Sequence, residues 1–303
     1  MGMFRGLVAV AVGAALVGCS AAPAASPPPT TPPQPTTTSP APADPAELQA
    51  IEAQFGVRLG VSAVNVHTGQ TMSYRDGERF PLLSTFKAYA AVALLHQHAL
   101  SSGYFDKVLH WTEADLLPNS PTTSERVATG MTISELCAAA ITVSDNTAGN
   151  LLLKELGGPA GLTAFAREIG DEESRLDRWE PELNTAVPGD ARDTTTPRAW
   201  AFVLRSLVLE ETLETPERQQ FTEWLLANKT GDERIRAGLP AGWRTADKTG
   251  TGSYGTANDV GVVWTPDGTP IVLAIMTSKP TEDAESEGAP IAAAANAVAE
   301  ALA

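Results

Sequence analysis

Pro81-Leu82-Leu83-Ser84-Thr85-Phe86-Lys87-Ala88-Tyr89-Ala90-Ala91-Val92-Ala93-Leu94-Leu95 is the stretch around which the whole chain is organised. Beyond Lys87 it is apolar on every face for two turns, the pattern of a helix buried all round. A polar step, Ser84-Thr85-Phe86-Lys87, opens that helix. Three residues apart on a helix, Ser84 and Lys87 share one face and lie a turn from each other. A serine hydroxyl becomes a nucleophile when a neighbouring base takes its proton, and a lysine desolvated by an apolar helix has its pKa pushed down toward that role. The helix N-terminus adds backbone N–H groups where an oxyanion would form. The plainer alternative is that Ser84 caps a core helix and Lys87 snorkels to water.

Outward from this helix the pattern is strand, helix, strand. Residues 46–55 read as an amphipathic helix, residues 57–66 alternate as a strand, His67-Thr68-Gly69-Gln70 turns, and residues 71–74 return. Helical patterns then dominate to about Asn228. They include a helix opened by the capping box Thr132-Ile133-Ser134-Glu135, residues 147–156 closed by Gly157-Gly158, and residues 161–169. Thr196-Pro197 and Thr215-Pro216 each read as a cap followed by proline at the first helical position. Residues 244–251, 259–264 and 271–277 are strands again, and residues 289–302 close the chain as a helix. Strands at both ends with helices between them predict an α/β fold of the α+β kind. One antiparallel sheet is built from both chain ends, an all-helical lobe stands beside it, and the site lies in the cleft between them.

The 303 residues fall into three parts. Residues 1–18 carry one charge, Arg5, and an apolar run that ends at Leu16-Val17-Gly18-Cys19, the form of a secretory signal too short to span a bilayer. Leu-Val-Gly-Cys resembles the bacterial lipoprotein signal, which implies a lipid on Cys19; ordinary cleavage among the nearby small residues is the alternative. Residues 19–46 are almost wholly Ala, Pro, Ser and Thr after that cysteine, the composition of an extended tether. Residues 47–303 are the globular part. The address expected is therefore exported, anchored by lipid to the outer face of the bacterial cytoplasmic membrane.

Arg5 is the only charged residue before Asp44, so the formal net charge of −15 becomes −16 from Asp44 onward. Such a domain does not seek nucleic acid or anionic lipid. Apart from Cys19 the sole cysteine is Cys137, inside an apolar-periodic helix, which predicts an unpaired core residue. His67, His96, His98 and His110 have no metal-ligand spacing, and neither a metal nor a cofactor is expected.

Three further motifs carry chemistry. Ser144-Asp145-Asn146 stands between two helices, where it either caps the second or delivers a hydroxyl and an amide to the cleft. Lys248-Thr249-Gly250-Thr251-Gly252 ends a strand. Thr249 and Thr251 share a face by the two-residue period and could bind a carboxylate, while Lys248 faces away by strict alternation with a stem long enough to reach round. Glycines at such strand ends are otherwise bulges or turns. Residues 177–195 show no helical or strand period, and a loop of that length inside a compact domain is commonly functional. There Glu180 and Asn184 can bring a carboxylate and an amide to one water, with Arg178 and Asp193 pairing across the neck.

Taken in order, Ser-x-x-Lys, Ser-Asp-Asn, Glu-x-x-Leu-Asn and Lys-Thr-Gly resemble the class A serine β-lactamases from about residue 46 to the C-terminus. The resemblance implies the serine β-lactamase/transpeptidase-like fold and a monomeric enzyme opening β-lactam rings through an acyl-enzyme. It implies Ser84 as nucleophile, Lys87 and Glu180 as candidates for its base, and Ser144 as relay to the leaving nitrogen. Glu180 and Asn184 would hold the hydrolytic water and Asn146 the substrate amide. The backbone N–H groups of Ser84 and Thr251 would form the oxyanion hole, with Lys248, Thr249, Gly250 and Thr251 on the carboxylate side. Gly255-Thr256-Ala257-Asn258 lacks the arginine that many members place there; Arg234 matches a variant that supplies it earlier, and Arg236 reads as structural. A D,D-peptidase, which shares three motifs without the loop glutamate, and a non-catalytic wall-binding module are the competing functions.

Overall fold

The alternating residues Arg58–Asn65 form β1, and Thr71–Tyr74 return as β2, in a computed structural model that describes residues 42–303 and, before them, only positions 9, 11 and 13–15. The chain divides into two units, residues 1–38 and 39–303, and every element named below belongs to the second. Cys19 and most of the tether lie outside the described residues.

After helix α1 (Ala46–Phe55) and the β1–β2 hairpin the chain leaves the sheet for the helical lobe. It comes back as β3 (Arg244–Thr251), β4 (Ala257–Trp264) and β5 (Pro270–Ser278). Arg58 of β1 stands opposite Ser278 of β5, so the two chain ends meet inside one sheet. The sheet is antiparallel throughout, as the sequence predicts; its order is β2-β1-β5-β4-β3, which leaves β3 at an edge.

Successive side chains on a strand point to opposite faces, and β5 uses both. Ile271, Leu273 and Ile275 pack with Leu48 and Ile51 of α1 and with Ile291 and Val298 of the C-terminal helix α9 (Ala289–Leu302). Val272, Ala274 and Met276 pack with Trp200 and Leu204 on the other side. That double coverage is why 271–276 reads as an unbroken apolar run; each of its Ile, Val, Leu and Met side chains withdrawn from water contributes about 1.5–3 kcal/mol.

The lobe is built on α2 (Phe86–Gln97), with α3 (Ile133–Thr142), α4 (Asn146–Glu155), α5 (Pro159–Glu168) and α7 (Thr215–Leu226) against it. Phe86 to Leu95 are all buried, Lys87 included. The Tyr89 ring packs at a tilt against Trp200 of α6 (Pro197–Leu204), centroids 4.4 Å apart, joining lobe to sheet. The Thr132–Glu135 capping box forms, and Thr196 accepts from the Ala199 N–H at 3.1 Å. Thr215 is not a cap: Glu214 stands at that position and Thr215 is already helical, which puts Pro216 second. Cys137 is buried and free. His96 packs on Phe165 and His98 on Tyr104, the divergence expected of residues two apart. No helix among the described residues is long and apolar enough to cross a membrane.

Candidate active site

Ser84 lies in a 3-10 turn, Leu83–Thr85, that leads directly into α2, so the helix proper starts two residues later than the serine. Leu83 holds a left-handed backbone (φ 51°), uncommon for a branched residue and a local strain just ahead of the serine. One turn on, Lys87 Nζ donates to Ser84 Oγ at 2.8 Å and is wholly buried. It does not snorkel. Its other acceptors are the Ser144 carbonyl at 2.9 Å, Asn146 Oδ1 at 2.6 Å and Ser144 Oγ at 3.3 Å. Burial pulls the Lys87 amine below the ordinary lysine value, opposed by the charges of Glu180 and Asp145.

The three residues of Ser144-Asp145-Asn146 divide between capping and the cleft. Asp145 caps α4 by accepting from the Ala148 N–H at 2.9 Å. It also takes the N–H groups of Thr122 and Thr123, each at 2.9 Å, fixing the neighbouring loop. Ser144, in the left-handed region at φ 57°, turns both its oxygens to Lys87, and Asn146 opens α4 facing the same amine.

The loop after α5 closes the site. Glu180 Oε1 stands 3.0 Å from Lys87 Nζ and accepts from Ser84 Oγ at 3.3 Å, while Asn184 Nδ2 donates to Oε2 at 2.5 Å. Asn184 Oδ1 is buried with no partner among the described residues, an acceptor beside the carboxylate. Arg178 Nε reaches Asp193 Oδ2 at 2.5 Å, the pairing that the loop sequence suggested. Asp193 Oδ1 also takes the backbone N–H groups of Asp177 at 2.7 Å and Arg178 at 2.9 Å. A 600 Å³ cavity beyond the loop, between residues 186–191 and Arg58, Arg79, Pro81 and Lys279, contains none of these groups.

From the sheet side, β3 meets the serine turn at Gly250. A Cβ there would stand 2.7 Å from Leu83 Cβ and 3.3 Å from the Ser84 nitrogen, so only glycine permits this approach. Lys248 faces the helical lobe and donates to Ser144 Oγ at 3.1 Å. Facing away from the threonines is therefore facing the serines, because an edge strand lets both of its sides border one cleft. Lys248 is wholly buried; burial first, then the nearby cations Lys87 and Arg234, hold its amine well below the ordinary lysine value. Thr249 and Thr251 lie together on the other face, bonded to Thr230 Oγ1 at 2.5 Å and to Arg234 Nη2 at 2.6 Å. Arg234 also donates to the Gly250 and Asn258 carbonyls at 2.8 and 2.6 Å. These partners are neutral, so its charge stays available at the cleft edge.

The model of the beta-lactamase enzyme family matches residues 45–302. The chain is 56% identical over 252 residues to β-lactamase AST-1 of Nocardia asteroides, covering 83% of this chain and 81% of that protein. It is 53% identical over 253 residues to the carbapenem-hydrolyzing β-lactamase KPC of Klebsiella oxytoca, covering 83% and 86%. Among solved structures, the β-lactamase from Streptomyces albus G superimposes with a TM-score of 0.84 at 45% identity, over 85% of this chain and 98% of that one.

The chain belongs to the class A serine β-lactamase family.

Within this β-lactamase family member the fold recruits residues that no motif marked. Asn150 of α4 accepts from the Glu180 N–H and donates to the Glu180 carbonyl, both at 3.0 Å, gripping the loop backbone at the carboxylate. Asn119 donates to the Ser144 carbonyl at 3.1 Å from the opposite loop. Thr230 reaches Thr249 as described. Asn150 sits four residues past Asn146, so helical spacing placed it on the cleft face, but nothing local tied it to a loop 30 residues away. Arg236 is structural in its contacts, bonded to Asp247 Oδ1 at 2.5 Å and to the Asn228 carbonyl at 2.7 Å.

Proposed function

We infer that this chain hydrolyses the β-lactam amide of penicillin- and cephalosporin-type antibiotics, and so confers resistance, through an acyl-enzyme on Ser84 cleared by a water that Glu180 activates. The observation that carries the reading is the Glu180 carboxylate, held by Asn184 on a backbone that Asn150 grips, and within 3.3 Å of Ser84 Oγ. Ser84 Oγ attacks the ring carbonyl while its proton passes to the Lys87–Glu180 pair, both members of which are in reach. Backbone N–H groups of Ser84 and Thr251 receive the oxyanion. The ring C–N bond breaks as Ser144, between Lys87 and Lys248, hands a proton to the nitrogen. Water then attacks the ester, losing its proton to Glu180; the Ser84 C–O bond breaks and the serine regains its hydrogen. Asn146 contacts the substrate amide, and Lys248, Thr249, Thr251 and Arg234 hold its carboxylate, with Gly250 making room.

The same reading takes the mature protein as a monomer tethered by a lipid on Cys19 to the outer face of the bacterial cytoplasmic membrane. Leu16-Val17-Gly18-Cys19 and the Pro/Thr/Ser/Ala-rich stretch after it support the tether. Cys19→Ala should move the protein from the membrane fraction to the soluble one at unchanged specific activity; retention after salt washing would sink the anchor.

A chromogenic cephalosporin tests the function. Sustained turnover is expected. A single stoichiometric burst would instead indicate a D,D-peptidase, and no reaction a binding module.

A further inference from the structure

Behind the Lys248-Thr249-Gly250 strand two carboxylates are buried together. Asp247 on β3 and Asp259 on β4 are each 0% exposed. Thr249 stands opposite Asp259 and Gly261 opposite Asp247, so the acids are diagonal neighbours on the face that carries Thr249 and Thr251. Register and burial therefore set the two carboxyl groups side by side.

Asp247 is fully engaged: Oδ1 accepts from Arg236 at 2.5 Å and Oδ2 from Asn228 Nδ2 at 2.9 Å. Asp259 is half engaged. Its Oδ2 accepts from the Ile235 N–H at 3.1 Å, and its Oδ1 is buried without a partner among the described residues. Two buried carboxylates placed side by side, with one paired guanidinium, do not both ionise without a large desolvation and repulsion cost, and a bare buried oxygen is far costlier than a hydroxyl that donates.

We propose that Asp259 is a positioning residue of the carboxylate-binding site: it shares one proton with Asp247 and, through Ile235, fixes Arg234 at the edge of the cleft. This rests on the hydrolase reading above. The lever is short. Ile235 follows Arg234, whose guanidinium spans β3 and β4 at the Gly250 and Asn258 carbonyls. Asn228 and Arg236, anchored on Asp247, hold the two ends of the segment that also carries Thr230. Burial and the Asp247 charge push the Asp259 carboxyl well above the ordinary range, against the pull of Arg234; Asp247 is raised by burial, against Arg236. The other charged groups nearby are Asp232 and Glu233 at the entry to helix α8 (Ile235–Gly238) and Lys248 on the opposite face of β3. The neighbouring β5 and α9 present Ile275, Ala294 and Ala295, all apolar.

The test compares Asp259→Asn with Asp259→Leu in the full-length chain, with benzylpenicillin as substrate. An amide can donate to Asp247 and accept from Ile235 as the protonated acid does, so kcat and KM at neutral pH should stay within about twofold of wild type. Leucine can do neither, and KM should rise about tenfold or more while kcat changes less, the scale of one hydrogen bond to a charged group. In the wild type KM should also climb on the alkaline side as the shared proton leaves and the carboxylates repel; in Asp259→Asn that climb should vanish. A readout without turnover is the infrared difference between wild type and Asp259→Asn at neutral pH, which should show a protonated-carboxyl band in the wild type alone. A wild type that turns over but lacks the band, with Asp259→Asn as impaired as Asp259→Leu, would overturn the proposal. A wild type without turnover would overturn the hydrolase reading instead, and the infrared band would still decide the shared proton.

Discussion

Lys87 Nζ and Glu180 Oε1 stand 3.0 Å apart with both side chains 0% exposed, and the Ser84 hydroxyl touches each of them. A buried ion pair is a poor source of stability, since removing two charges from water offsets most of their attraction. Here Asn146 accepts from the amine, Asn184 donates to the carboxylate and Asn150 holds the Glu180 backbone, so the pair is tied down from both sides.

Glu180→Ala should therefore still acylate but deacylate about 10²–10⁴-fold more slowly, the scale of losing a general base. Intact-protein mass spectrometry after mixing with benzylpenicillin should show a persistent adduct of one penicillin on Ser84. An unmodified variant turning over at the wild-type rate would remove Glu180 from the mechanism.

The two arginines near α8 should separate cleanly. Arg234→Ala removes a charge whose partners are neutral, so KM should rise by the equivalent of about 1.5–3 kcal/mol with little loss of melting temperature. Arg236→Ala strips Asp247 of its ion-pair partner and should cost about 3–5 kcal/mol of stability. Equal effects of both on kcat/KM, measured beside thermal unfolding, would show that the roles are misassigned.

At the neck of the loop Asp193 takes three donors, two of them backbone, whereas Arg178 supplies one side-chain partner to it. Asp193→Ala should accordingly open residues 180–184 further than Arg178→Ala, with global stability changing less than local protection in both. Amide hydrogen exchange resolves this directly; protected loop amides in Asp193→Ala would make the neck a passive scaffold.

Gly250→Ala inserts a methyl where Leu83 Cβ would stand 2.7 Å away. Overpacking of this kind costs about 1–3 kcal/mol and would part β3 from the Ser84 turn. Pre-steady-state acylation should slow by at least about tenfold, since small misplacements at the reacting atoms are expensive. An acylation rate equal to wild type would show that the strand yields without moving the serine.

Stability should depend on pH through Asp259. Its folded carboxyl is raised above the unfolded value, so the folded state holds the extra proton and stability falls as pH climbs from about 4 toward the folded value. Asp259→Asn should flatten that slope and leave the variant more stable than wild type at neutral pH. Parallel melting-temperature curves for the two proteins would contradict it.

What the sequence determined alone was whatever depends on neighbours a few residues apart. The three-residue spacing put Ser84 and Lys87 on one helical face, the two-residue period put Thr249 with Thr251, and Thr132 and Thr196 announced their helices, because these follow from backbone geometry within a turn or a pleat. Apolar runs at both ends announced the sheet. Only the tertiary structure decided that β3 is the edge strand beside the serine turn, which converts an outward Lys248 into a partner of Ser144. It alone brought Asn150 under Glu180 and set Asp259 against Asp247. Those contacts join segments whose separations along the chain carry no period, and they are fixed by strand order and by where the loop closes, which depend on the packing of the whole core rather than on any local pattern.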